Sequence, residues 1–500
     1  MSSPDASCHL LRLAPELVAL ITSCLPNSAI KNLRLSCRAL SGSAALRLHR
    51  VFLSPNPRNV EVFRAVADHE VFRRRIVEII WDDALLLDRG PGHIPGPTDG
   101  PISPEWYDRA CGINLLELDK VKKSNHPDYA VAKLQMAAQL PFNVSWEHYQ
   151  ELLGQQEEVI ASKSDIEALR YGLQQFPALK RITITPAAHG LLFIPLYETP
   201  MIRALPHGFN YPIPRGWPTP ERGDAPYYVQ SWDRDKSKWR GFNIVTRELA
   251  SAPHGHSITE LVLDVHYLNT GLNCHVFDGQ NDEYDNLVKI LRQPGFSRLD
   301  LALLSDGQQY QGWSSFRNGN LRSALSEATD LQHINFESQT NQLQFWEPEK
   351  FDRHFLPLDT LLPVERWHKL RHFGLSNFLV RQDDLLALLA ALPKSVRSVE
   401  LGFLLFLDER SHKDLLDAMR QTLGWRDRPV NERPTVTILC PQHKTKIPWR
   451  YMWIRDAVND FLYDNATNPF SDMDLDGIWP DVNRGAILRW PFLPALDEPY

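Results

Sequence analysis

The chain is 500 residues long, 43% apolar, 23% charged and 10% aromatic, which is enough apolar material for a sizeable core and excludes a wholly disordered protein. A net charge of −7 and a pI near 6.2 remove the general attraction that non-specific nucleic-acid or anionic-membrane binding needs, so neither partner is expected. The longest apolar runs, Leu385 to Leu392 and Leu401 to Leu407, fall far short of the roughly 20 residues that span a bilayer.

The start, MSSPDASCHLLRLAPELV, carries acid and lacks a basic flank followed by an uninterrupted apolar stretch, which argues against a secretory signal. Cys8, Cys24, Cys37, Cys111, Cys274 and Cys440 are scattered without CxxC pairs. That usage suits reduced thiols in the cytosol or nucleus.

From His9 to Arg50 the pattern is helical. Leu13, Leu17, Leu20, Ile21 and Leu25 fall near three-to-four spacing, Pro26-Asn27-Ser28 breaks the run, and Ser28 offers a cap for a second helix. Ile30, Leu33, Leu35, Cys37 and Leu40 give that helix its apolar side, and Ser41-Gly42-Ser43 ends it before a third apolar group at Leu46, Leu48, Val51 and Phe52. Three helices in so few residues bury little surface, so leftover apolar side chains should dock on a partner. Between residues 8 and 50 six Lys or Arg face a single acid, Glu16, which predicts an acidic partner surface.

These residues also carry a resemblance. Leu13-Ala14-Pro15-Glu16-Leu17, the following Ile21 and Leu25, and Asn32-Leu33-Arg34-Leu35-Ser36-Cys37-Arg38 resemble the F-box, whose usual form is Leu-Pro-x-Glu-Leu followed by a Leu-Arg-Leu-x-Cys-Lys segment. The sequence departs from that form in Ala14, where a proline often sits, and in Leu40, where a tryptophan is frequent. Val51 to Pro55, Glu61 to His69 and Glu78 to Ala84 look like the stretch that follows the F-box in filamentous-fungal F-box proteins. The resemblance implies docking on a Skp-type adaptor, and through it on cullin and RING subunits of an SCF-type ubiquitin ligase. The implied docking surface is Pro15, Leu17, Ile21, Leu25, Leu33, Leu35 and Leu40, with Pro15 fixing the start of the first helix. Such a subunit selects a protein substrate and needs no catalytic residue or cofactor of its own.

Further along, Arg89 to Pro104 reads as a Gly- and Pro-rich loop, and helices are predicted over Glu105 to Leu118, Tyr129 to Gln139 and Trp146 to Ala161. A repeat then emerges in which a helical segment leads into a short alternating strand. The strands are Arg181 to Thr185, Glu260 to Val265, Arg298 to Leu304, His333 to Glu337, His372 to Ser376, Ser398 to Phe403 and Thr435 to Leu439. Helical segments between strands favour parallel pairing through right-handed crossovers.

The expected fold class is α plus α/β: a three-helix F-box (8–53), a helical linker region (54–163) and an irregular leucine-rich-repeat-like helix/strand solenoid with a curved parallel sheet (164–440). A C-terminal capping tail (441–500) completes it. The solenoid is interrupted at 186–242 by an insertion with nine prolines between Pro186 and Pro226 and ten aromatics between Phe193 and Phe242. Structural packing is the primary expectation for that insertion, with Trp217 as a candidate recognition residue.

Alternation assigns the sheet faces. Ile182 and Ile184, Leu261 and Leu263, Leu299 and Leu301, Ile334 and Phe336, Phe373 and Leu375, and Val399 and Leu401 should point inward. The intervening Thr183, Asp264, Asp300, Asn335, Glu337, Ser376, Glu400 and Thr437 then line an open face. Asp264, Asp300, Asn335, Glu337 and Glu400 are its candidate substrate-binding residues, suited to a basic segment of a protein partner.

Catalytic and metal motifs fail on spacing. Asp472 to Gly477 begins like a calcium loop, but Asn483 stands where a bidentate Glu belongs and Pro480 interrupts it. Cys440-Pro441-Gln442-His443 lacks a second ligand pair, His254 and His256 lack neighbouring ligands, and no P-loop, dinucleotide fingerprint or nucleophile elbow is present. No metal, cofactor or catalytic residue is expected. The rival reading is a non-ligase solenoid scaffold whose N-terminal helices merely cap it.

Overall fold

The computed structural model describes residues 10, 13–25, 27–44, 46–88, 103–123, 126–219, 229–251, 256–266, 268–305, 307–339, 354–408, 410–441, 451–471 and 486–489. These form a mixed α/β body around a largely parallel sheet. In chain order the strands are β1 (Arg50–Leu53), β2 (Glu78–Asp82), β3 (Arg181–Thr185), β4 (Glu260–Leu263), β5 (Leu272–Asn273), β6 (Arg298–Leu304) and β7 (His333–Gln339). They continue with β8 (His372–Ser376), β9 (Leu379–Val380), β10 (Ser398–Gly402), β11 (Leu405–Phe406), β12 (Thr435–Pro441), β13 (Tyr451–Ile454) and β14 (Ala486–Arg489). Spatial order follows chain order: β1-β2-β3-β4-β6-β7-β8-β10-β12-β13-β14, with β5 on β6 and a separate β9–β11 pair. Pairing is parallel from β1 to β12, and β13 and β14 add antiparallel strands beyond it.

Two apolar rows cross the sheet in register. One runs Val51, Ile79, Ile182, Leu261, Leu299, Ile334, Phe373, Val399, Val436, and the other Leu53, Trp81, Ile184, Leu263, Leu301, Phe336, Leu375, Leu401, Ile438. All are buried in one core, as alternation predicts for β3, β4, β6, β7, β8 and β10. Each contributes roughly 1.5–3 kcal/mol on burial. Their partners come from the helices that precede or follow each strand: Phe63 and Val66 from Pro57–Asp68, Ile166 and Leu169 from Ser164–Gln175, Ile244 and Val245 from Arg240–Ala250, and Leu385 and Leu389 from Gln382–Ala391.

Several sequence expectations change. The sheet begins at Arg50, inside the stretch assigned to the N-terminal module, and β2 lies inside the expected linker. Val51 and Phe52 form strand, not a third helix, and the third helix is the shorter Arg38–Ser43. Within Phe355 to Ser376 the expected helical segment forms as two 3-10 turns, Leu358–Thr360 and Val364–Arg366, because Pro363 would fall inside a continuous helix, where it lacks an N–H and clashes with the preceding turn. The three helices after the Gly- and Pro-rich stretch form as Glu105–Lys123, Tyr129–Ala137 and Phe142–Ser162.

Two of those helices, Glu105–Lys123 and Phe142–Ser162, pack with the insertion. Tyr107, Cys111, Trp146, Tyr149 and Leu153 share a core with Met201, Phe209 and Tyr211, and Tyr107 Oη donates to the Asn210 carbonyl at 3.0 Å. The insertion is therefore a packed lobe. It reaches the sheet face opposite the core rows at the β1 end, where Tyr197 packs on Phe52 with ring centroids 5.7 Å apart.

Candidate protein-binding surfaces

The N-terminal module builds the first surface. Pro15 occupies the first turn of helix Pro15–Ser23, where its missing N–H costs nothing. Helices Asn27–Ser36 and Arg38–Ser43 follow. Val18, Ile30, Leu40 and Ala44 are its buried core. Polar bonds lace it: Asn27 exchanges two hydrogen bonds with the Arg47 backbone at 2.7 and 3.0 Å, and Arg34 Nη1 donates to the Ala44 carbonyl at 2.7 Å. The Arg47 guanidinium donates to the Ser23 and Leu25 carbonyls. Two of the six cations assigned to an acidic partner thus also brace the module.

Of the expected docking residues, Pro15 is exposed, Leu17 and Ile21 are 48% and 41% exposed, Leu25 and Leu33 are half-buried, and Leu35 is 84% exposed. Leu40 is 4% exposed and corrects the expectation, because it fills the space among the three helices. Leu13 and Leu20 join the outward apolar set. Water-facing leucines in this number on so small a unit are costly unless something covers them. The Ser28 side chain, proposed as a cap, lies outside the described residues.

The second surface is the sheet face opposite the core rows. At the strand starts a charge ladder crosses it in register: Arg50, Glu78, Arg181, Glu260, Arg298. Arg50 Nε lies 3.3 Å from Glu78 Oε2 and Arg181 Nε lies 2.6 Å from Glu260 Oε2, while Thr183 Oγ1 donates to Glu78 at 2.6 Å. The ladder continues into His333 and His372, whose rings stack 4.1 Å apart. Opposite charges in lateral register stabilise neighbouring strands.

The next rows hold the sequence-predicted residues. Asp300 receives two bonds from Arg298, at 2.7 and 3.0 Å, and sits 3.2 Å from His333 Nε2. Burial works to raise its pKa, but His333 and Arg298 outweigh burial and hold the carboxyl below its usual range. Asp264 pairs with His266 at 2.9 Å, which likewise overcomes burial and lowers its pKa. Glu337 accepts from Asn377 Nδ2 at 2.8 Å and from the Gln339 amide, yet burial, together with repulsion from Asp264, pushes it up to about 7. Burial also raises Glu400, against the attraction of Arg489. His372 is driven down to about 3 by burial first and by the charge of His333 second. Asn335 lies over Gly374, where a Cβ would approach Asn335 Oδ1 to 2.2 Å, so glycine is needed for that side chain to lie flat. Thr183, Ser376 and Thr437 are buried between these groups.

The structure thus brings Asp264, Asp300, Asn335, Glu337 and Glu400 to one face, and corrects Trp217. That indole is 2% exposed, and its Nε1 donates to Asp83 Oδ2 at 2.7 Å, so it ties the lobe to β2. Sequence reasoning missed Arg298, His333, His372 and His266. The first three stand two residues before Asp300, Asn335 and Gly374, so the same alternation places them on this face. Beyond Glu400 the face turns aromatic, with Arg455 and Arg489 over the Trp453 ring at 4.6 and 4.4 Å.

Among the described residues no group of three or more His, Cys, Asp or Glu is arranged to hold a metal, and no helix is long and apolar enough to cross a membrane. Cys440 is buried, with its thiol pushed up to about 12 by burial. His256 Nδ1 accepts from the Ile258 backbone, and its Nε2 contacts Gln293. The calcium-like segment Asp472 to Asn483, His254 and His443 lie outside the described residues. No family model matches the chain, and comparison with curated proteins returns no match.

Proposed function

We propose that the protein is a substrate-recognition adaptor of an SCF-type cullin-RING ubiquitin ligase. In this reading the N-terminal F-box-like module docks on a Skp-type adaptor, and the repeat body, a leucine-rich-repeat-like solenoid, holds a protein substrate. The observation that carries the reading is the exposed apolar set Leu17, Leu20, Ile21 and Leu35 on helices that share the F-box sequence pattern, with Leu13 just before the first of them. The charged face of the sheet supports the second half. Asp264, Glu337 and Glu400 offer carboxylates to a basic segment of the substrate, with the Arg-stacked Trp453 beside them. The protein would act by proximity, raising the concentration of a substrate lysine near the ubiquitin carrier.

The test is co-purification with a Skp-type adaptor, comparing the intact chain with a Leu17→Asp, Leu35→Asp double variant. Both positions are exposed, so the variant should keep its circular dichroism spectrum. The intact chain is expected to retain the adaptor and the folded variant to lose it. An intact, folded chain that retains no adaptor would overturn the ligase reading and leave the interaction scaffold.

A further inference from the structure

The helical layer contains a cleft of about 520 Å³ between helices Ser164–Gln175 and Arg240–Ala250. These helices lead into the neighbouring strands β3 and β4. The first sends Ile166 and Arg170 into the cleft, with Lys163 at its start, and the second sends Arg240, Ile244 and Arg247, spaced as a single helical face requires. Four of the six are cations, in a chain of net charge −7.

Two carboxylates fix this array. Arg240 donates through Nη1 and Nη2 to Asp165 at 2.6 and 3.1 Å, and Arg170 through Nε and Nη2 to Glu248 at 2.7 and 3.0 Å. Each pair crosses from one helix to the other and uses one edge of the guanidinium fork, so the remaining N–H groups are held in place. Ion pairing between helices would account for these four residues alone. It leaves Arg247, which only shares Glu248 at 3.4 Å, and Lys163. The Lys163 ammonium and the Ser237 hydroxyl on the cleft wall make no hydrogen bond or ion pair among the described residues. The four lining cations exceed Asp165 and Glu248 by two positive charges, and the nearby Glu167, which also acts on Arg170, is itself paired with Arg64 at 3.6 Å.

We infer that this cleft binds a phosphate monoester carried on an apolar body. The excess charge matches the −1.5 to −2 of such a phosphate near pH 7, Ile166 and Ile244 supply apolar walls, and the volume falls in the range of small-molecule sites. The site is independent of both protein-binding surfaces.

Calorimetric titration of the full chain with phenyl phosphate, inorganic phosphate and phenol tests the assignment. Phenyl phosphate is expected to bind saturably, about tenfold tighter than inorganic phosphate, and to weaken with added salt. A Lys163→Gln, Arg247→Gln double variant should bind it at least about tenfold more weakly. Ser237→Glu, which puts a carboxylate into the cleft without touching either ion pair, should abolish binding and decides the matter if the double variant misfolds. Absence of saturable binding, equal binding of phenol, or binding unchanged in folded Ser237→Glu protein would overturn the inference.

Discussion

Asp82 and Asp83 are adjacent, both buried at the end of β2, and differ because their donors differ. Asp83 accepts from Trp81, Trp217 and the Gly241 backbone at 3.2, 2.7 and 2.7 Å. Burial raises it to about 6, with those donors pulling the other way. Asp82 accepts from the Ala84 backbone at 3.1 Å and lies 3.6 Å from His189 Nε2. Burial, reinforced by Asp83, pushes it up to about 8, while burial and Arg215 bring His189 down to about 3. With the folded Asp82 carboxyl titrating near 8 and the unfolded one at its ordinary 3.8, the unfolded chain releases its proton first. The stability this group contributes is full below about pH 4 and is lost as pH rises through 8. Asp82→Asn should therefore flatten the fall in urea midpoint between pH 5 and pH 8, and an equally steep fall in the variant would contradict the assignment.

At the scale of elements, the N-terminal module separates residues that look equivalent in the sequence. Leu35 and Leu40 both sit on its apolar pattern, yet one faces water and the other fills the core. Leu40→Ala should cost about 2–5 kcal/mol and Leu35→Ala within about 0.5 kcal/mol, read as hydrogen-exchange protection of residues 27–44. Equal losses at the two positions would refute this packing. Periodicity placed both leucines on the helices but could not rank their burial, because that depends on how three short helices meet. Strands β3, β4, β6, β7, β8, β10 and β12 were legible because polar residues fall at alternate positions in most of them, as in Arg298–Asp300 and His333–Asn335, whereas the two-residue β5, β9 and β11 are too short to show a period. β2 was not: Glu-Ile-Ile-Trp-Asp is buried on both faces, and a strand covered on both sides loses the alternation that betrays it. The candidate acids were legible for the same reason as the strands, whereas Trp217 misled because composition alone does not say which side of a lobe an indole faces.

For the whole molecule, the boundary matters more than any single side chain. A chain shortened to 164–500 follows the division suggested by repeat spacing, but it strips β1 and β2 from β3 and removes Tyr107, Trp146 and Tyr149 from the lobe core. The uncovered edge of β3 becomes a template for association. Residues 46–500 should elute as a single species with one cooperative urea transition, while 164–500 should aggregate, both checked by size exclusion with light scattering. A monodisperse 164–500 would show that β3 does not depend on the strands before it.

The hydrogen bond from the Gly241 backbone to Asp83 spans 158 residues, and this gives the ribosome a part in the folding order. At roughly 5–20 residues per second, Asp83 leaves the peptidyl-transferase centre roughly 8–30 s before its last donor does. The last residue of β3, Thr185, follows Asp83 by roughly 5–20 s; until then β1 and β2 have no β3 edge, and the lobe's Trp217 comes later still. The nascent chain thus carries a half-built sheet for many seconds, and slowing synthesis between residues 83 and 241 should lengthen that window and lower the soluble yield.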